Sequence, residues 1–142
     1  MSQPEFSTQE ECPPDLIGGP ALRIIAMPKD ANPSGDIFGG WIMSMIDLAG
    51  GRVAFDEARG RIATVAVEGM SFVSPVRIGD EVSFFADLLG IGRTSIRVRV
   101  TAWVRRGPQR EAHKVTEATV TYVAMDDDGR PRPVKSEEGD AR

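Results

Sequence analysis

From Ile37 to Ala54 only three side chains are polar: Ser44, Asp47 and Arg52. The apolar residues of this stretch fall at 38, 41, 42, 45, 46, 49 and 53, which is helical spacing rather than alternation. With successive residues stepped around a helix, the apolar stripe centres between Phe38, Trp41, Ile42 and Ala49, and Asp47 lies roughly 160° from it. Its side of the helix is shared by Met43, Ser44, Gly50, Gly51 and Ala54. A solvated face normally carries Lys, Glu and Gln; this one is small and mostly uncharged. Adjacent glycines within a helix cost about 1 kcal/mol each relative to Ala. They make sense where a backbone, a ligand or another subunit comes close. A carboxylate beside such an interface is a candidate general base or nucleophile. The alternative for Asp47 is an ordinary solvated helix position.

The segment leading into the helix, Asp30-Ala31-Asn32-Pro33-Ser34-Gly35-Asp36-Ile37-Phe38-Gly39-Gly40, is polar and rich in glycine. Glycines at a helix start let a ligand reach free backbone N–H groups, whose donors and dipole can stabilise an oxyanion. Gly39 and Gly40 are equally open to a second reading, tight packing at the helix start. No Lys-Ser or Lys-Thr follows them, so a phosphate P-loop is excluded, and there is no Gly-x-Gly-x-x-Gly fingerprint. The single cysteine, Cys12, excludes an internal disulfide and a cysteine-based metal cluster, and the single histidine, His113, excludes a His-rich metal site within one chain. His113 is read as structural. Asp126-Asp127-Asp128-Gly129 does not continue as a calcium loop, because Arg130 breaks the pattern.

Around the helix the remaining signals are strands. Ala21–Met27 is short, apolar and closed by Pro28. Arg61–Val73 carries Gly69 as an expected bulge. Glu81–Leu89 alternates, and Ser95–Arg105 alternates most cleanly, with Ile96, Val98, Val100, Ala102 and Val104 on one side. Trp103 falls on its polar side, a position suited to a partner. Glu111–Met125 is rich in Thr and Val. Short Gly-bearing turns join the last strands, so the sheet is expected to be antiparallel. A lone helix cannot cover five strands unless the sheet curls around it. The expected fold is α+β: an antiparallel five-stranded sheet wrapped around one long central helix. The folded unit should span 20–133, between an N-terminal arm (1–19) and a solvated tail (134–142).

Composition agrees with one soluble domain: 142 residues, 41% hydrophobic and 27% charged, with a net charge of −4. A globally acidic chain excludes a nucleic-acid binder held by overall positive charge. No apolar run approaches the roughly 18–20 residues of a membrane span, and no signal-peptide pattern opens the chain, so the expected compartment is the cytoplasm. Fourteen of the seventeen basic residues are Arg, which leaves room for a local anion site.

The run from Met27 to Ser44, together with Val67-Glu68-Gly69-Met70-Ser71-Phe72, Pro75 with Gly79-Asp80, and Tyr122-Val123-Ala124-Met125-Asp126, resembles the YciA-type acyl-CoA thioesterases of the hotdog fold. The resemblance covers about residues 21–134. It implies a hotdog sheet around a central helix, hydrolysis of acyl-CoA to a free acid and CoA, and no metal or redox cofactor. It further implies that Asp47 is the catalytic carboxylate, as general base or as nucleophile. Asn32 is implied to complete the site across a dimer interface. The N–H of Gly39, with that of Gly40, is implied to polarise the thioester carbonyl; Phe38 stands where related motifs carry His. Dimers with paired helices, stacked as a trimer of dimers, are the implied assembly.

CoA requires cations for its phosphates. The Gly92-Arg93-Thr94-Ser95 turn is the chosen candidate, ahead of Arg97, Arg99, Arg105, Arg106 and Lys114. Phe38, Met43, Met45 and Met70 are candidates for an acyl tunnel, with core packing as the ordinary alternative. Two other functions compete. A hydratase would pair a His with the carboxylate, and His113 lies far from the helix in sequence. A non-catalytic acyl-CoA-binding module would need an output domain or a partner, and the sequence offers no helix-turn-helix segment.

Overall fold

The structure, a computed structural model, describes residues 19–108 and 111–135. Most of the N-terminal arm, with Cys12, and residues 136–142 lie outside the described residues. The elements run β1 (Leu22–Ile25), a 3-10 turn (Pro28–Asp30), α1 (Gly39–Ala58), β2 (Ile62–Phe72), β3 (Glu81–Ile91), β4 (Ser95–Arg105) and β5 (Ala112–Ala124). One antiparallel sheet holds the strands in the order β1-β3-β4-β5-β2, which leaves β2 at an edge. β1 is shorter than its apolar run. At Ala26 the chain leaves β3 and bonds instead to the Gly79-Asp80 turn.

Helix α1 lies in the hollow of the sheet. Ile42, Ile46, Ala49, Gly50, Ala54 and Ala58 are buried. They share a core with Val82, Phe84, Val98, Val100, Val120 and Tyr122. The helix ends at Arg59, a left-handed residue at φ 58° whose N–H reaches the Phe55 carbonyl. Arg132 then donates to the Ala58 carbonyl at 2.8 Å, placing a cation at the negative end of the helix dipole.

Three expectations change. First, Gly50 and Ala54 belong to the core rather than to an open face beside Asp47. A methyl group on Gly50 would stand 2.5 Å from the Tyr122 hydroxyl and 3.1 Å from Val100. The close approach that this glycine permits is therefore by Tyr122 of the same chain, because the sheet curls over the C-terminal half of α1. Second, Trp103 is only 6% exposed and unavailable to a partner. A register shift against β5 falls between Ala102 and Trp103, and Trp103 sits opposite Ser83 of β3. Third, Val134 is buried and its N–H bonds to Arg93, so the folded body includes at least one residue of the expected tail. The bulge at Gly69 is present: φ is +69° and the register slips between Glu68 and Ser71.

Candidate active site

The loop before α1 is held by its own side chains. Asn32 Oδ1 accepts from the N–H of Ser34 at 2.9 Å and of Asp36 at 3.1 Å. This Asx turn uses the side-chain oxygen and leaves the Nδ2 amide group without a partner among the described residues. The loop is stitched to its surroundings by Phe38 N–H to Asp30 and Ile37 N–H to Val76.

That stitching fixes where α1 begins. Phe38 is the N-cap residue, and among the described residues no side chain caps the helix. The positive end of the dipole, with the N–H groups of Gly39 and Gly40, is therefore bare. It opens on a cleft of about 360 Å³ lined chiefly by Ile37, Ile42, Phe72, Val73, Pro75 and Val76. None of the four expected tunnel residues lines this cleft. Phe38 and Met43 are exposed, and Met45 and Met70 pack against the core.

The cleft wall has its own support. Asp80, 2% exposed, accepts from Arg77 N–H, Arg106 Nε and Arg106 Nη2, each at 2.8 Å. Arg106 also donates to the Pro75 carbonyl at 3.2 Å. The hydrogen bond to Asp80 and the charge of its carboxylate raise the Arg106 pKa. Arg106 is thus committed to structure and is not a spare cation for phosphate.

Asp47 stands exposed on the outer side of α1. Thr64 of β2 donates to its Oδ1 at 2.8 Å, and Tyr122 donates to its backbone carbonyl at 2.9 Å. Burial, and then the nearby Asp47 charge, push the Tyr122 phenol far above its usual range, so it remains a donor. The sequence reading did not single out Thr64. The pairing joins residues 17 apart on different elements, and its only local signal is a hydroxyl in an otherwise apolar start to β2.

The Arg93-Thr94-Ser95 turn lies elsewhere. Its carbonyls accept from Val134 and Ala124, close to where Arg132 caps the far end of α1. It is at the opposite end of the helix from Gly39, and one chain does not bring it to the cleft. His113 is exposed on β5 opposite Val104. Among the described residues there is no group of three or more His, Cys, Asp or Glu side chains suited to a metal. No helix among them is long and apolar enough to cross a membrane.

The thioesterase superfamily model matches residues 34–110, which span the end of the Asn32 loop, α1, β2, β3 and β4. The chain belongs to this superfamily. The acyl-CoA thioester hydrolase YciA of Salmonella typhimurium is 47% identical over 116 residues, covering 80% of this chain and 87% of the relative. Two solved thioesterases superpose with the hotdog arrangement derived above. The hexameric thioesterase y2039 of Yersinia pestis does so with TM-score 0.79 and 44% identity over 84% of this chain and 98% of its own. An Asp-to-Ala variant of HI0827, a hexameric broad-specificity acyl-coenzyme A thioesterase, gives TM-score 0.80 and 45% identity over 84% of this chain and 88% of its own.

Proposed function

We propose that this chain hydrolyses acyl-CoA thioesters to a free carboxylic acid and CoA, in a homo-oligomer whose sites are shared between protomers. The observation that carries the reading is the Asp47 carboxylate, fixed by Thr64 at 2.8 Å on a helix whose N-terminus is uncapped and faces an apolar cleft. Asp47 and Gly39 are eight residues apart on one helix, roughly 12 Å along its axis at 1.5 Å per residue. A base and an oxyanion donor must both lie about 3 Å from the reacting group. One protomer therefore cannot supply both to one thioester. A second copy, bringing its own Gly39, Gly40 and Asn32 to the first copy's Asp47, resolves the distance.

Exposed apolar side chains support such pairing. Met43, Leu48 and Phe55 on α1, and Val65, Val67 and Phe72 on the edge strand β2, form uncovered hydrophobic surface on the single chain. In the resulting site the N–H groups of Gly39 and Gly40 hold the carbonyl oxygen as it gains charge. Asp47 takes a proton from the attacking water, or attacks the carbonyl carbon itself to form an anhydride that water then opens. The C–S bond breaks, and the thiolate leaves and is protonated as CoA-SH. Asn32 orients water or carbonyl through its free amide group. The chemistry draws only on water and these side chains, with no resident cofactor.

Release of free thiol from acetyl-, butyryl-, hexanoyl-, lauroyl- and palmitoyl-CoA tests the reading. Turnover is expected, and the profile over chain length sizes the cleft. Saturable binding of acyl-CoA with no thiol released would instead favour a non-catalytic binding module.

A further inference from the structure

Tyr122 carries a hydroxyl where the core needs only a ring. The side chain is 1% exposed and belongs to the same buried cluster as Ile46, Val100 and Val120. Its hydroxyl donates to the Asp47 carbonyl at 2.9 Å. Inside an α-helix that carbonyl already accepts from the N–H four residues on, here Gly51. Satisfying the backbone therefore does not require the phenol, and Phe would fill the same space with no hydroxyl to desolvate. The helix also forgoes a side chain to admit it, because a methyl group on Gly50 would collide with the hydroxyl.

Both features converge on the residue that bears the carboxylate. Tyr122 of β5 lies directly opposite Thr64 of β2, and such cross-strand partners project from the same face of a sheet. Thr64 holds the Asp47 carboxylate at 2.8 Å, and Tyr122 holds the main chain of the same residue. One cross-strand pair thus grips Asp47 at both ends. The register of β2 slips just beyond Thr64, so this is the last pair before the irregularity. Burial, and after it the Asp47 charge, keep the phenol protonated, so it stays a donor.

We propose that Tyr122 is a positioning residue for the reaction: through the Asp47 carbonyl it sets the height and roll of the helix turn that carries the carboxylate. The inference rests on the acyl-CoA reading. Tyr122 touches no substrate and exchanges no proton. Thr64 directs the carboxylate, while the Tyr122 hydroxyl fixes the backbone from which that side chain swings. The site joins two protomers, so Asp47 must meet a thioester held by the other chain. A shift of about 1 Å in a reacting group can cost about a hundredfold in rate.

The test assays wild type, Tyr122→Phe, Asp47→Asn and the double variant as full chains, by thiol release from butyryl-CoA and by urea unfolding. Phe keeps the ring and removes only the hydroxyl. In the wild-type background kcat should fall about tenfold, the rate equivalent of one hydrogen bond, with KM within about twofold. In the Asp47→Asn background no carboxylate is left to position, so the same substitution should change the residual rate by less than about twofold. A merely structural role would give the same fractional loss in both backgrounds, in step with the urea midpoint. That result, no loss in the wild-type background, a loss carried by KM alone, or a Tyr122→Phe chain that does not fold would each overturn the inference and leave the hydrolase reading standing. A folded wild type that releases no thiol would remove that reading and the inference together.

Discussion

Replacing Asp47 with Asn should lower kcat by about a thousandfold or more, within the range attributed to removing a positioned general base. Asn retains an acceptor at the Oδ1 position, so the hydrogen bond from Thr64 survives at its 2.8 Å. It loses the charge and the ability to take a proton or to attack. Asp47 is exposed and ion-paired with nothing among the described residues. Stability should therefore stay within about 0.5 kcal/mol of wild type. Thiol release and urea unfolding on the same preparation separate the two effects. A drop in activity that tracks a drop in stability would assign Asp47 to folding instead.

Asp80→Ala should produce the largest loss of stability of the substitutions considered. It strips three hydrogen bonds at once and leaves the Arg77 N–H and the Arg106 guanidinium without their acceptor. Breaking a buried ion pair from one side ordinarily costs about 3–5 kcal/mol. The Arg106 side chain is 38% exposed, so water offsets part of the loss, and about 2–3 kcal/mol is expected. The melting temperature should fall by roughly 10 °C. The same network holds Pro75 and, through the Arg77 turn, the Val76 carbonyl that receives Ile37 N–H. The cleft wall should loosen with it, raising KM in whatever fraction remains folded. A lower urea midpoint with an unchanged m-value would show that stability rather than the extent of unfolding has changed.

What could be read from the sequence divides along a physical line. β4 is legible to its ends because one alternating run faces a core on one side only, and α1 because its apolar residues repeat at helical spacing. The loop from Asp30 to Gly40 is legible because Asn, Pro and Gly each dictate a local backbone shape. The missed features depend on contacts between elements. Nothing near Gly50 in sequence announces Tyr122, 72 positions later, so its buried role looked like an open face. Trp103 follows the alternation of its strand until the register shift beside Ala102, a feature of the β4–β5 pairing. Thr64 gains significance only when β2 is laid beside α1. Arg93, Thr94 and Ser95 form the turn that the sequence suggested, and within one chain that turn lies at the far end of the helix from the cleft, a placement set by its bonds to Ala124 and Val134.

The most direct test of the shared site is complementation between two damaged protomers. Asp47→Asn removes the carboxylate, and Asn32→Asp keeps the Oδ1 acceptor that shapes the loop while removing the Nδ2 donor. Each variant alone should be nearly inactive on acyl-CoA. Co-expressed in equal amounts with separate tags, they should form mixed pairs in which one of two sites has both groups intact. Thiol release should then return to about a quarter of wild type under random pairing by a twofold axis. Activity no greater than the mean of the two variants, in purified mixed oligomers, would contradict a site built from two protomers.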